Sequence, residues 1–273
     1  MTYCVAMLLD TGLVFLSDSR TNAGIDQIST FRKATVFQKP GERVLVLQSS
    51  GNLAITQTVI SMLKEDIDAA RGGGTGSGAA GALASAADKA VSPRPNLMNV
   101  PNLFEAARCV GNALRELHRR DAGALKDFGV DFSAALTLGG QIKGEAPRLF
   151  SIYAAGNFIE ATTDTSYFQI GESKYGKPIV DRVLRRTSSL NEAVKCALVS
   201  MDSTIRSNLS VGLPLDLVIV KRDRFNVARH ISIDADNEYF QGIRGRWSEA
   251  LREAFAQLPD PDWLSAVARD TAD

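Results

Sequence analysis

The sequence predicts an α+β domain in which helices cover two stacked, mainly antiparallel sheets. Its periodic segments run strands, two helices, strands, two helices, strands. The opening strands are apolar nearly throughout, which implies burial on both faces. The helical segments are apolar along one stripe only, as helices lying on a sheet should be.

Tyr3 to Leu9 is a strand-compatible run, Asp10-Thr11-Gly12 a turn, and Leu13 to Ser17 a second run, so the chain opens as a β-hairpin. Arg43 to Ser50 is another strand. It ends at Gly51-Asn52, either of which can cap the helix begun by Leu53, Thr56, Val59, Ile60 and Leu63. Composition then shifts to glycine, alanine and proline over about 71–100, which reads as a mobile surface insertion. No Gly-Lys-Ser/Thr follows its glycines, so a phosphate loop is disfavoured.

Pro101 to Asp121 is a helix with proline in its first turn and Leu103, Ala106, Ala107, Val110, Leu114 and Leu117 on one face. Strands are expected at Val130 to Ile142, Arg148 to Ala155, Asn157 to Ala161 and Tyr167 to Ile170. Helices follow from about Lys177 to Arg186 and from Leu190 to Ser207. Leu215 to Val220 and Asn226 to Ile233 return to strands. The tail, Arg244 to Gln257 and Asp262 to Ala268, is amphipathic and helical, with Trp247, Leu251 and Phe255 on one stripe. A single domain over 1–273, with the 71–100 insertion and a helical segment at about 244–270, accounts for the whole pattern.

Lys+Arg 31 balances Asp+Glu 31, so charge points to neither a nucleic-acid nor an anionic-membrane partner. Cys4, Cys109 and Cys196 are too far apart for a disulfide framework or a CxxC metal site, and the expected compartment is a reducing cytoplasm. The only histidines, His118 and His230, favour chemistry that needs neither a zinc centre nor a Ser-His-Asp triad. No cofactor or metal is expected.

Thr2 stands directly behind Met1. A small second residue usually allows the methionine to be trimmed, leaving a threonine that carries both a hydroxyl and a free α-amine. That amine titrates near roughly 7.7–8.0 and can take the hydroxyl proton, an arrangement used in covalent catalysis.

Thr2, the turn at 10–12 and Ser17-Asp18-Ser19-Arg20 resemble the opening of proteasome β subunits. Lys33 falls where that family has its catalytic lysine, and Ser50-Gly51 resembles the turn before its first long helix. The resemblance is narrower to the bacterial ancestral β subunits. Ser29 to Lys33, Gly139 to Gly144 and Phe168 to Gly176 carry it, and it covers nearly everything outside 71–100. It implies a four-layer αββα sandwich of the N-terminal-nucleophile hydrolase type and a homo-oligomeric threonine peptidase acting on peptide or protein substrates.

The same resemblance implies the site. Thr2 is the nucleophile, Lys33 keeps the potential positive, and Asp18 pairs with Lys33. The Gly51 N–H is the oxyanion donor, Ser173 orients the amine or its water, and Ser49 borders the side-chain pocket. The family's late Asp-x-x-Ser-Gly element corresponds to Ser207-Asn208-Leu209-Ser210-Val211-Gly212. Ser210 takes the serine role there, and Ser207 stands where the carboxylate belongs. Singly, each residue also has an ordinary role as turn, solvated charge or helix cap. Two alternatives stay open: a weak or silent scaffold binding partner proteins, and an N-terminal-nucleophile amidase acting on a small amide.

Overall fold

The structure, a computed structural model, describes residues 2–22, 28–72, 94–261 and Trp263. The chain divides into two compact units, 1–234 and 235–273.

The first unit holds β1 (Tyr3–Leu9), β2 (Gly12–Asp18), β3 (Arg20–Asn22), β4 (Ile28–Thr30), β5 (Ala34–Lys39) and β6 (Arg43–Gly51). Next come α1 (Leu53–Gly72), α2 (Leu103–Asp127), β7 (Ala134–Ile142), β8 (Arg148–Ile152), β9 (Phe158–Glu160) and β10 (Tyr167–Gly171). It closes with α3 (Lys177–Val183), α4 (Leu190–Ser207), β11 (Leu215–Lys221) and β12 (Val227–Ile233). One antiparallel sheet has the order β10-β1-β2-β11-β12, the other β5-β6-β7-β8-β9, and β3 pairs with β4 alone. The α+β class is thus present. Helices α1 and α2 pack on the second sheet, α4 packs on β1 and β2, and the sheets contact each other through β1, β10, β6, β7 and β8.

Alternation explains this stacking. In β6, Leu45 and Leu47 join the core under α1 and α2, while Val44 and Val46 face the other sheet with Phe15, Leu149 and Val218. Successive strand side chains point to opposite faces, so a strand between two layers must be apolar at every position. β1 obeys this throughout and β2 as far as Leu16, after which the buried Ser17 and Asp18 depart from it.

Several boundaries differ from the sequence-based expectations. Helix α2 starts after Asn102, whose Oδ1 accepts the Glu105 N–H at 2.9 Å. Pro101 therefore lies before the cap, and the helix runs on to Asp127. β7 begins four residues later than expected. Of the 71–100 insertion, 73–93 lies outside the described residues. Its final part is no surface loop: Leu97 and Val100 are buried in the core, and the buried Arg43 Nη1 donates to their carbonyls at 3.2 and 2.9 Å.

In the second unit, α5 (Glu238–Ala256) starts six residues before the expected position, because the Asn237 side chain accepts the Phe240 N–H and caps it. Leu251 and Phe255 are exposed. The helix expected over Asp262 to Ala268 lies outside the described residues except for Trp263, an exposed turn residue.

Candidate active site

Three anchors fix the start of the chain. The Thr2 carbonyl accepts the Glu172 N–H, the Tyr3 N–H donates to Asp18 Oδ1 at 2.9 Å, and the Tyr3 hydroxyl bonds Ser200 of α4. Gln169 Nε2 donates to the same hydroxyl at 2.8 Å, and burial pushes its pKa upward. The half-buried Thr2 is therefore held from both sides of its own peptide. Gly171 permits this closeness: it sits at φ +84°, and a Cβ there would lie 2.1 Å from the Thr2 carbonyl oxygen.

Asp18 closes β2, and Lys33 immediately precedes β5, where its carbonyl accepts the Ser49 N–H. Their side chains meet with Lys33 Nζ 2.7 Å from Asp18 Oδ1, and Nζ also donates to the Arg20 carbonyl at 2.8 Å. Both residues are buried. Burial raises the Asp18 carboxyl above its ordinary value, because lost hydration outweighs the opposing pull of Lys33 and of the Tyr3 N–H. Removing either partner would leave a buried charge without its counterion.

Thr2, Lys33, Ser49, Ser50 and Gly51 line one recess of about 480 Å³. That is the size of a small-ligand cleft. Gly51 ends β6 at φ +108°, where a Cβ would fall 2.4 Å from the Ser133 carbonyl oxygen. A side chain there would be strained and would obstruct the backbone. The helix start belongs to Asn52, whose Oδ1 accepts the Ala54 N–H at 3.0 Å. Gly51 is thus left as bare backbone facing the recess.

Two further residues singled out by sequence, Ser173 and Ser210, are not among the residues lining this recess. Ser173 is exposed and lines a different recess with Lys174, Lys177 and Asp181. Ser210 is half-buried, and its N–H donates to Asn208 Oδ1 at 3.0 Å; it does not line the Thr2 recess.

Glu172, which sequence reasoning passed over, is buried and adjoins the Thr2 backbone through its own N–H. Its carboxylate accepts the Lys174 N–H at 2.9 Å and the Asn208 side-chain amide at 3.0 Å. The Lys174 N–H is the larger reason that its pKa lies below the ordinary value. A carboxylate thus reaches the loop where Ser207 lacks one, but from the strand-to-helix turn. Sequence carried no signal for it, because the positive φ of the preceding Gly171 shows only in the folded backbone.

Chemically, the recess gathers a hydroxyl beside a chain start, a buried ammonium held by a carboxylate, and an open glycine backbone. Solved structures similar to the chain include Anbu (ancestral β-subunit) from Yersinia bercovieri, 52% identical, covering 95% of this chain and 99% of its own, with a TM-score of 0.81. The Anbu Gly-1 mutant from Hyphomicrobium sp. strain MC1 is 48% identical, covering 96% and 100%, with a TM-score of 0.83. A helical assembly of the Anbu complex from Pseudomonas aeruginosa is 48% identical, covering 95% and 98%, with a TM-score of 0.82. No protein-family model and no curated protein matches the chain.

Proposed function

Because the chain belongs to the proteasome-like Anbu, or ancestral β-subunit, family, we propose that it is a threonine peptidase acting through Thr2 once Met1 has been removed. The observation that carries this reading is the buried Lys33–Asp18 pair at 2.7 Å, whose lysine lines the same recess as Thr2 and Gly51. The helix and sheet packing supports an αββα sandwich of the N-terminal-nucleophile type.

In this reading Thr2 Oγ attacks the peptide carbonyl carbon while its proton passes to the Thr2 α-amine. Lys33 favours the neutral amine and the developing alkoxide by its fixed positive charge. The Gly51 N–H stabilises the oxyanion of the tetrahedral intermediate. Collapse breaks the C–N bond, and the α-ammonium returns the proton to the departing amine. Water then attacks the Thr2 ester, releasing the acid and restoring the hydroxyl. Asp18 and Glu172 are positioning residues: the first holds Lys33 and Tyr3, the second holds the Thr2 carbonyl and the Asn208 loop. Ser173 follows Glu172, whose N–H holds the Thr2 carbonyl, and in this reading orients the amine or its water, with Ser210 in the serine role on the Asn208 loop.

Self-association belongs to the proposal, supported by the helical assembly of the Pseudomonas aeruginosa relative and by the exposed apolar residues of α5. Three free cysteines suit action in the reducing cytoplasm. The test is digestion of a defined peptide mixture by protein whose intact mass shows Met1 lost. Internal cleavage abolished by Thr2→Ala is the expected result. Cleavage surviving Thr2→Ala would refute the nucleophile. Turnover of simple acyl amides with peptides untouched would favour the amidase, and a retained Met1 the silent scaffold.

A further inference from the structure

The Thr2 recess has a polarity that the proposed chemistry does not require. The two cations among its described lining residues differ sharply. Lys33 is buried, and its ammonium is occupied by Asp18 and the Arg20 carbonyl. Arg32, the preceding residue, also lines the recess but is exposed. Its guanidinium has no hydrogen-bond or ion-pair partner among the described residues. The part of the lining that α1 supplies is Leu53, Thr56, Gln57 and Ile60, none of which carries charge. Among the described residues no aspartate or glutamate lines the recess beside Arg32.

We infer that Arg32 makes this recess selective for substrates presenting a carboxylate side chain next to the scissile bond. The inference rests on the Thr2 peptidase reading and deepens it by naming a substrate class. A guanidinium offers paired N–H donors matched to the two oxygens of a carboxylate. A cleft lined by one sign of charge also concentrates ligands of the opposite sign. At about 480 Å³ the recess has room for an aspartate or glutamate side chain against the neutral wall of α1. A lysine or arginine side chain would meet Arg32 with like charge.

The experiment uses full-length protein lacking Met1 and three peptide epoxyketones that differ only in the residue beside the electrophile: glutamate, leucine or lysine. Attachment to Thr2 is followed by mass spectrometry. The glutamate probe is expected to label about tenfold or more faster than the leucine probe, with lysine slowest. Arg32→Ala should collapse the glutamate-to-lysine ratio, and Arg32→Glu should invert it. Equal rates for glutamate and leucine, or a ratio unchanged in Arg32→Ala, would overturn the specificity while leaving the peptidase reading intact. If no probe labels Thr2, the peptidase reading fails and takes this inference with it.

Discussion

Among the described residues a Lys–Asp ion pair occurs in two different settings. Lys33 lies 2.7 Å from Asp18 with side chains 7% and 0% exposed, and Lys177 lies 3.0 Å from Asp181 with side chains 53% and 48% exposed. The distances nearly match, yet the carboxyls respond in opposite directions. Burial raises Asp18 above its ordinary value, whereas the Tyr167 hydroxyl, assisted by Lys177, lowers Asp181. Water decides the difference. At the α3 corner the solvent screens the pair and lets it come and go. Beneath Thr2 the charges have only each other and a few backbone groups, so their positions are fixed. Ser173 lines a recess together with the exposed Lys177–Asp181 pair.

The largest expected contrast is in stability. Lys33→Ala strands a buried carboxylate and should cost about 3–5 kcal/mol in urea unfolding. Lys177→Ala should cost less than about 1 kcal/mol, because its pair is exposed. Equal costs would break the distinction between the two settings.

A smaller effect separates the pairs by pH. The raised Asp18 carboxyl binds its proton more readily in the folded state than in the unfolded one. Its contribution is therefore fully present below the ordinary value of 3.8 and declines as pH rises through the raised folded value. Asp181, held down, contributes stability above 3.8 that is lost as pH falls through its folded value. Subtracting the unfolding profile of Asp18→Asn or Asp181→Asn from wild type should give slopes of opposite sign. Slopes of one sign would contradict the assignment.

Much of the fold was legible because burial leaves a periodic trace. The opening hairpin reads cleanly since β1 and β2 are covered on both faces. Helix α4 matches its expected span because Ser189 and Glu192 form a reciprocal capping box at its start. The short β3 and β4, and β5 with its mixed burial, leave no such trace, and their pairing is a tertiary fact. Gly242 and Gly245 disguised the first turns of α5, where the Asn237 cap outweighed their low propensity. The proline and asparagine of 94–100 read as loop, but Arg43 and the core hold that segment from outside it.

Within the site, Thr2 was legible from its place behind Met1, but Asp18, Lys33 and Gly51 only through their resemblance to a family. Nothing local says that residues 2, 18, 33 and 51 meet. Glu172 was passed over because the backbone conformation after Gly171 that buries it is invisible in the composition. Arg32 was hidden by its neighbour, because a motif centred on Lys33 makes the preceding arginine look like part of a solvated run.

The central claim is that the buried pair, not merely a Lys–Asp pair near the motif, prepares Thr2 for attack. The most direct measurement compares the rate of Thr2 acylation by one leucine epoxyketone in wild type, Asp18→Asn and Asp181→Asn, each verified as folded and free of Met1. Asp18→Asn should slow the reaction about a hundredfold or more, and Asp181→Asn should leave it within about twofold. Equal rates in the two variants would contradict the claim.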